Sequence, residues 1–330
     1  MATTLAGLEE VLAEEARERL SPSGLRALPG RIVFDRRGPA QEAASLRCAE
    51  EVWAYVREVA VPVAGARSLR QWRAKLRRTE FESGLRTVRR AGGSEAPTTM
   101  RVSVAAAPDV KVRFIDLQSS AAAALGAASG LQPSGAEADV WVRVLVEPEC
   151  TTIGLALPRA EGFGPAASPW RPVAAAMLRM AQVQPGGTIA DLACGEGVLL
   201  SEWGAAGGRG TYVAGDGRRR EVVAARAAAH AAEVRARFAV WRVRALPLRD
   251  GAVRACLGLV RRLPRDRRRV AAELWAEVAR VLARGGRAVL AAERGLGLRR
   301  EAQKHALAVA RALRVRVERA DLELLAVERT

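Results

Sequence analysis

The stretch Asp191-Leu192-Ala193-Cys194-Gly195-Glu196-Gly197 carries the most chemical content of the chain. Asp191 stands four residues before the first of two glycines, and a second acid, Asp216, follows 25 residues after it. The stretch falls where a predicted buried strand, Thr188–Leu192, turns into a predicted helix, Val198–Trp203. Ligands of doubly wound sheets bind at the carboxyl ends of the strands. Two glycines let the backbone pass close to such a ligand without a Cβ clash. An acid ending the next strand, at Gly215-Asp216, is positioned to accept hydrogen bonds from ribose hydroxyls. The dinucleotide fingerprint GxGxxG fails, because Leu200 stands three residues beyond Gly197, and no GK[ST] follows to make a Walker loop. A carboxylate just ahead of the glycines repels a pyrophosphate and suits a cation. S-adenosylmethionine, with its sulfonium and ammonium groups, fits. The plain alternative is a βα turn that needs small residues; the agreement of strand, acid, glycine pair and second acid favours the cofactor.

A loop of this kind needs a parallel sheet around it, and the chain supplies the alternation. Strands are predicted near Thr188–Leu192, Thr211–Ala214, Ala236–Val240, Val253–Leu259 and Arg287–Ala292, and helices near Val173–Ala181, Val198–Trp203, Arg219–Ala232, Arg268–Leu282 and Leu298–Leu313. Val315–Val317 and Leu322–Val327 read as a closing antiparallel hairpin. Such alternation requires a mainly parallel sheet covered on both faces. Upstream, residues 5–20 place Leu5, Leu8, Val11 and Leu12 at helical spacing, and Ser21-Pro22-Ser23-Gly24 ends that helix. A strand at Gly30–Phe34, a helix with Ala44, Leu46, Ala49 and Val52 on one side, and a strand at Val59–Val63 complete a small α+β unit. Residues 64–97 read as basic and irregular, with Arg67, Arg70, Arg73, Lys75, Arg77 and Arg78 as either a solvated helix face or an RNA contact. A second small unit follows, with strands at Met100–Val104, Ala138–Val146 and Thr152–Leu157 and a helix at Ser119–Ala128. Pro158, Gly162, Gly164, Pro165 and Pro169 mark a linker.

Composition narrows the function classes. A chain of 330 residues suggests two or three domains, and 49% hydrophobic residues support real cores. No apolar run is long enough to span a bilayer. Met1–Leu5 lacks a basic region followed by an apolar stretch, so a cytoplasmic protein is expected. Cys48, Cys150, Cys194 and Cys256 are widely spaced and the two histidines are too few for most metal sites, so reduced thiols and no metal are expected. The net charge is +17, carried almost wholly by arginine, with only Lys75, Lys111 and Lys304 as lysine and no asparagine at all. A GC-rich genome explains arginine over lysine. It does not explain a surplus over acids, which points to a polyanion.

The segment RPVAAAMLRMAQVQPGGTIADLACGEGVLLSEW, from Arg171, resembles the start of the methyltransferase domain of the THUMP-domain RNA methyltransferases, the tRNA guanine-N2 methyltransferases of bacteria, archaea and eukaryotes. Residues 5–20 are similar to the first helix of that family's ferredoxin-like unit. Met100–Val104, Gln118–Gly126 and Ala138–Leu157 resemble its THUMP domain. The resemblance covers nearly the whole chain. It implies an α/β fold, a class I methyltransferase Rossmann-like doubly wound sheet preceded by α+β ferredoxin-like and THUMP units. The division it implies is 1–63 for the ferredoxin-like unit, 64–158 for THUMP, 159–170 for a linker and 171–330 for the methyltransferase domain. It further implies S-adenosylmethionine as cofactor, with Asp191, Gly195 and Gly197 at its methionine part, Cys194 in the same loop and Asp216 at the ribose. The implied partner is RNA, with tRNA as substrate. Arg101, Lys111, Arg113, Arg143 and Arg171 are the candidate phosphate contacts, which position RNA without reading its sequence. The run Arg261–Arg269 is a denser candidate beside the expected pocket mouth; a solvated surface charge is the alternative at each position.

The family's catalytic turn, (Asn/Asp)-Pro-Pro-(Tyr/Phe) after the fourth strand, stabilises the exocyclic amine and stacks on the flipped base. Here the corresponding stretch, Arg254–Leu263, holds neither Pro-Pro nor an aromatic residue. No catalytic residue is therefore assigned among Arg261, Arg262, Asp266 and Glu293. After the third strand, Val240-Trp241-Arg242-Val243-Arg244 offers arginines where the family has an acid; Trp241 either flanks the adenine or belongs to the core. Two readings remain: an RNA methyltransferase with an altered acceptor pocket, and a degenerate methyltransferase fold that binds RNA without methyl transfer. A small-molecule methyltransferase needs no such N-terminal apparatus.

Overall fold

The computed structural model describes residues 1–135, 137–159, 168–260, 267–294 and 296–330, without the side chains of Ala66, Arg267 and Arg268. The N-terminal part runs β1 (Ala2–Thr3), α1 (Glu9–Leu20), β2 (Ser23–Leu28), β3 (Arg31–Asp35), α2 (Ala40–Ala44), β4 (Glu51–Val59), α3 (Ala66–Leu76), α4 (Glu82–Arg90), β5 (Thr99–Ala106), α5 (Phe114–Ser129), β6 (Gln132–Pro133), β7 (Val140–Val146) and β8 (Thr151–Ala156). The C-terminal part runs α6 (Arg171–Ala181), β9 (Thr188–Asp191), α7 (Val198–Ala205), β10 (Thr211–Asp216), α8 (Arg219–Ala231), β11 (Ala236–Val240), β12 (Val253–Val260), α9 (Arg267–Val281), β13 (Leu282–Glu293), α10 (Leu298–Gln303), β14 (Leu307–Val317) and β15 (Ala320–Arg329).

The first eight strands lie in one order, β2-β3-β1-β4-β8-β7-β5-β6. β4 joins its two halves, because Glu51 and Val52 pair with β1 while Trp53–Val59 pair with β8. The residues around β4 were expected to form a helix through Ala44–Val52 and a strand at Val59–Val63. Instead, the helix is short, α2 ending at Ala44, and Glu51–Val59 forms strand, where ladder pairing with β1 and β8 overrides local helical periodicity. Residues 64–97, expected to be irregular, form α3 and α4. Trp72 and Leu76 of α3 are fully buried, so its charge run is the wet face of an amphipathic helix. α5 packs beneath β5, where Met100, Val102 and Val104 alternate inward, and ends at Gly130 in the left-handed region.

The second sheet has the order β11-β10-β9-β12-β13-β15-β14. β9, β10, β11, β12 and β13 pair in parallel, while β15 runs antiparallel to both β13 and β14. β12 is apolar and buried along most of its length, as a strand covered on both faces must be. Strand order reverses between β9 and β12, which opens a crevice at the carboxyl ends of these strands. The expected helix Leu298–Leu313 stops at Gln303; Leu307–Val317 forms β14, paired with β15 from Leu307↔Arg329 to Val317↔Ala320.

The two parts are joined by specific contacts. Glu14 of α1 pairs with Arg311 of β14 at 2.7 Å, and the Arg316 N–H donates to the Ala6 carbonyl at 3.2 Å. Gly7, with φ +97°, lies so close to β14 that a Cβ would overlap the Arg314 carbonyl.

Candidate functional site

Asp191 is the last residue of β9, and its carboxylate is wholly withdrawn from solvent. Its Oδ2 accepts from the Tyr212 hydroxyl at 3.0 Å and its Oδ1 from the Ala193 N–H at 3.4 Å. Tyr212 lies two residues before Ala214, which is the partner of Asp191 in the parallel ladder, so pleating sends both side chains to one face. Burial pushes the Asp191 carboxyl up to about 7; the two hydrogen bonds oppose this, and the nearby Asp216 adds to it. Burial and the same carboxylate lift the Tyr212 phenol well above its ordinary range.

Asp216 ends β10 and is almost buried. Its Oδ2 accepts from the Gly195 N–H at 3.3 Å and its Oδ1 from the Arg218 N–H at 3.0 Å, with the Arg218 guanidinium 3.5 Å away. The Cys194 N–H donates to the Gly215 carbonyl at 3.0 Å, which ties the glycine loop to the end of β10. Gly195 has φ +49°, a conformation that suits glycine. Trp241 donates from Nε1 to the Leu192 carbonyl at 3.1 Å, and its ring packs on Gly215, where a Cβ would come within 2.4 Å. A cleft of about 900 Å³ opens between Trp170, Gly195, Asp216, Trp241 and Leu259. Arg218, Arg220, Arg242 and Arg244 stand on its walls beside Glu221 and Glu273. The volume falls in the range of small-molecule sites.

The five residues expected at the cofactor thus divide. Gly195 and Asp216 line the cleft; Asp191, Cys194 and Gly197 do not. The Asp191 carboxylate lies behind the loop, hydrogen-bonded to Tyr212, as a buried carboxylate must be. Cys194 is buried, and burial raises its thiol far above the ordinary range. Gly197, with φ +86°, is required by packing: a Cβ would lie 2.9 Å from that of Ala228 and 3.2 Å from the Cα of Ala225, both in α8. Trp241 is buried and also lines the cleft.

The candidate phosphate contacts divide as well. Arg101, Lys111 and Arg113 are exposed; Arg101 stacks 4.9 Å from the Trp141 ring centre, and Arg113 pairs with Asp116 at 2.8 Å. Arg143 is buried against Glu51 and Trp141, and Arg171 pairs with Glu202 at 2.6 Å. Arg261, Arg262, Arg265 and Asp266 lie outside the described residues, as do the side chains of Arg267 and Arg268. Arg269 pairs with Glu273 at 3.0 Å, and Glu293 is half-buried at the end of β13.

Sequence reasoning missed Tyr212 and Glu202. Each leaves a signal: a tyrosine within a strand expected to be buried on both faces needs a hydrogen-bond partner. Glu202 sits among Leu199, Leu200 and Trp203 in a helix with little other charge, and a buried acid in such a helix requires cations from elsewhere. It receives Arg47 and Arg171 at 2.8 and 2.6 Å.

Among the described residues no cluster of three or more histidine, cysteine or carboxylate side chains could hold a metal, and no helix is long and apolar enough to cross a membrane. The model of a family described as a methyltransferase domain matches residues 189–286. No curated protein sequence matches the chain. Among solved structures, the chain is similar to TrmN from Thermus thermophilus, with 22% identity and a TM-score of 0.75 over 100% of this chain and 98% of that one. It is also similar to a possible methylase from Clostridium difficile 630, with 16% identity and a TM-score of 0.73 over 100% of this chain and 97% of that one. The fold is that of the class I methyltransferases, with the Rossmann-like sheet following the N-terminal eight-stranded one. Residues 189–286 match a methyltransferase domain, and S-adenosylmethionine is the cofactor that goes with a domain of this class.

Proposed function

We propose that the chain is an RNA methyltransferase that uses S-adenosylmethionine, with tRNA as substrate and the exocyclic N2 of guanine as acceptor. The observation that carries this reading is the cleft formed by Gly195, Asp216 and Trp241 at the switch point of a class I methyltransferase sheet, in a chain that also bears a separate α+β sheet with exposed arginines. We assign residues 1–63 to a ferredoxin-like unit, 64–158 to a THUMP unit, 159–170 to a linker and 171–330 to the methyltransferase domain; the first two share one sheet through β4.

The cleft residues fit the cofactor. The Asp216 carboxylate lies at the tip of β10, where it can accept from ribose hydroxyls. Trp241 offers an apolar wall for a purine, held by its bond to Leu192. The Gly195 backbone can approach the ligand closely. The cofactor supplies an electrophilic methyl group on a cationic sulfur. On this reading Asp191, Cys194 and Gly197 complete the cofactor loop, the Asp191 carboxylate held by Tyr212. In the N-terminal part, Arg101 of β5, Lys111 in the loop before α5 and Arg113 at its N-cap are the phosphate contacts on this reading.

A second reading has a specific observation in its favour. β12 ends at Val260 and is followed in sequence by Arg261-Arg262-Leu263-Pro264, with no Pro-Pro-aromatic turn. A chain that binds RNA without methyl transfer would look the same. The deciding experiment incubates the purified protein with labelled S-adenosylmethionine and tRNA from cells lacking guanine-N2 modification. Label recovered as N2-methylguanosine supports the enzyme. Salt-dependent RNA binding with no label transferred refutes it and establishes the second reading.

A further inference from the structure

The three strand tips that form the cofactor cleft lie in a row. Gly195 follows β9, Asp216 ends β10 and Trp241 follows β11, in the sheet order β11-β10-β9. A nucleoside whose ribose meets Asp216 and whose amino-acid part lies over Gly195 therefore places its base at the tip of β11. There the chain makes a tight turn, in which the Ala245 N–H donates to the Arg242 carbonyl at 2.9 Å. The turn is pinned at both ends. The Trp241 N–H donates to the Asp216 carbonyl at 3.2 Å, and the Leu246 N–H donates to the Glu277 carboxylate at 2.7 Å. Arg280 holds the same stretch through the carbonyls of Leu246 and Leu248, at 3.1 and 2.7 Å. Arg242, Val243 and Arg244 of this turn all line the cleft.

What this turn offers a purine is one-sided. Asp216 and Glu221 pair with Arg218 at 3.5 and 3.2 Å, Glu221 also pairs with Arg220 at 3.3 Å, and Glu273 pairs with Arg269 at 3.0 Å. Arg242 and Arg244 form no such pair among the described residues, and both are exposed. A guanidinium carries N–H donors and no acceptor. The Arg242 carbonyl is taken by Ala245, and the Trp241 indole N–H is taken by the Leu192 carbonyl. On an adenine ring the 6-amino group donates, while N1 and N7 accept. Guanidiniums can serve N1 and N7, and they give the 6-amino group nothing to donate to. A 6-oxo group in its place accepts, and together with N7 it matches the fork of one arginine.

We infer that Arg242 and Arg244 recognise the base of the bound nucleoside by donating to it, so that the cleft does not require the 6-amino group of adenine and takes a 6-oxopurine nucleoside at least as well. This rests on the cleft being the S-adenosylmethionine site. The two arginines set specificity for the base and touch no reacting atom.

The test is calorimetric titration of the full chain with S-adenosyl-L-homocysteine and with S-inosyl-L-homocysteine, in which the 6-amino group is replaced by a 6-oxo group. We expect the inosyl compound to bind as tightly as the adenosyl one, or up to about tenfold tighter, within the range of an arginine paired with a 6-oxopurine. Replacing both arginines, by Arg242→Glu with Arg244→Glu, puts acceptors at the turn and should reverse the order, so that the adenosyl compound binds roughly tenfold tighter than the inosyl one. The single variants apportion the effect between the two positions. Arg249→Glu makes the same change of charge on the same loop, outside the cleft lining, and should leave the ratio at its wild-type value. Arg242, Arg244 and Arg249 are exposed, so none of these substitutions opens the core. If neither compound binds the wild type, the cofactor reading falls and this inference with it. If the adenosyl compound binds and the inosyl one binds more weakly, the cofactor reading stands and the inference is overturned. A ratio unchanged in the double variant, or shifted as far by Arg249→Glu, overturns it as well.

Discussion

Replacing Asp191 with asparagine should make the protein relatively more stable as the pH rises. The carboxyl is fully buried and its pKa is pushed up to about 7 from an ordinary 3.8. Below about pH 4 it is protonated in the folded and unfolded chains alike. Between that pH and 7 the unfolded chain releases the proton while the folded one keeps it, so wild-type stability falls as pH rises and levels off above 7. At about 1.4 kcal/mol per unit, the full span costs the wild type about 4 kcal/mol, of which about 2–3 kcal/mol falls between pH 5 and pH 8. The asparagine side chain of the variant does not titrate, and its amide oxygen can still accept from Tyr212. The assay is urea unfolding of wild type and Asp191→Asn at both pH values. The stability difference should shift by about 2–3 kcal/mol toward the variant at the higher pH. A difference independent of pH would refute the claim that Tyr212 and the β9–β10 ladder hold a carboxyl away from water.

Removing the shared acid at the junction of the two sheets, by Glu202→Ala, takes a buried carboxylate from Arg47 and Arg171; unfolding should show a loss of about 3–5 kcal/mol, and a loss below 1 kcal/mol would contradict the pairing. Gly197→Ala forces a left-handed residue to carry a Cβ into α8, and thermal unfolding should register about 1–3 kcal/mol of destabilisation. Arg101→Ala should lower the slope of log affinity for RNA against log salt by about one, whereas Arg143→Gln, at an internally paired guanidinium, should lower stability and leave that slope unchanged.

The C-terminal half was largely legible in the sequence because buried parallel strands read as apolar runs between helices. Ala236–Val240 forms β11 as expected, and Val253–Leu259 falls one residue short of β12. The failures share a physical cause. Leu307–Val317 is rich in alanine and arginine, which favour helix locally, yet ladder bonds to β15 outweigh that preference. Likewise, Glu51–Val59 has neighbours on both sides that come from distant parts of the chain. At the site, the spacing of Asp191, Gly195 and Asp216 located the crevice but not the orientation of each carboxylate. That depended on Tyr212, whose hydroxyl reaches Asp191 only once the two strands are aligned. Among the candidate cations, Arg101 and Arg143 look alike in sequence. They differ because Glu51, on a strand of the neighbouring unit, lies within reach of Arg143.

Calorimetric titration of S-adenosylmethionine into wild type, Asp216→Ala and Asp191→Asn tests the central claim most directly. The account predicts one site in the wild type, affinity reduced by tenfold or more in Asp216→Ala, where a carboxylate at the cleft is lost, and a smaller change in Asp191→Asn. Equal affinity in all three proteins, or a larger loss at Asp191 than at Asp216, would contradict it.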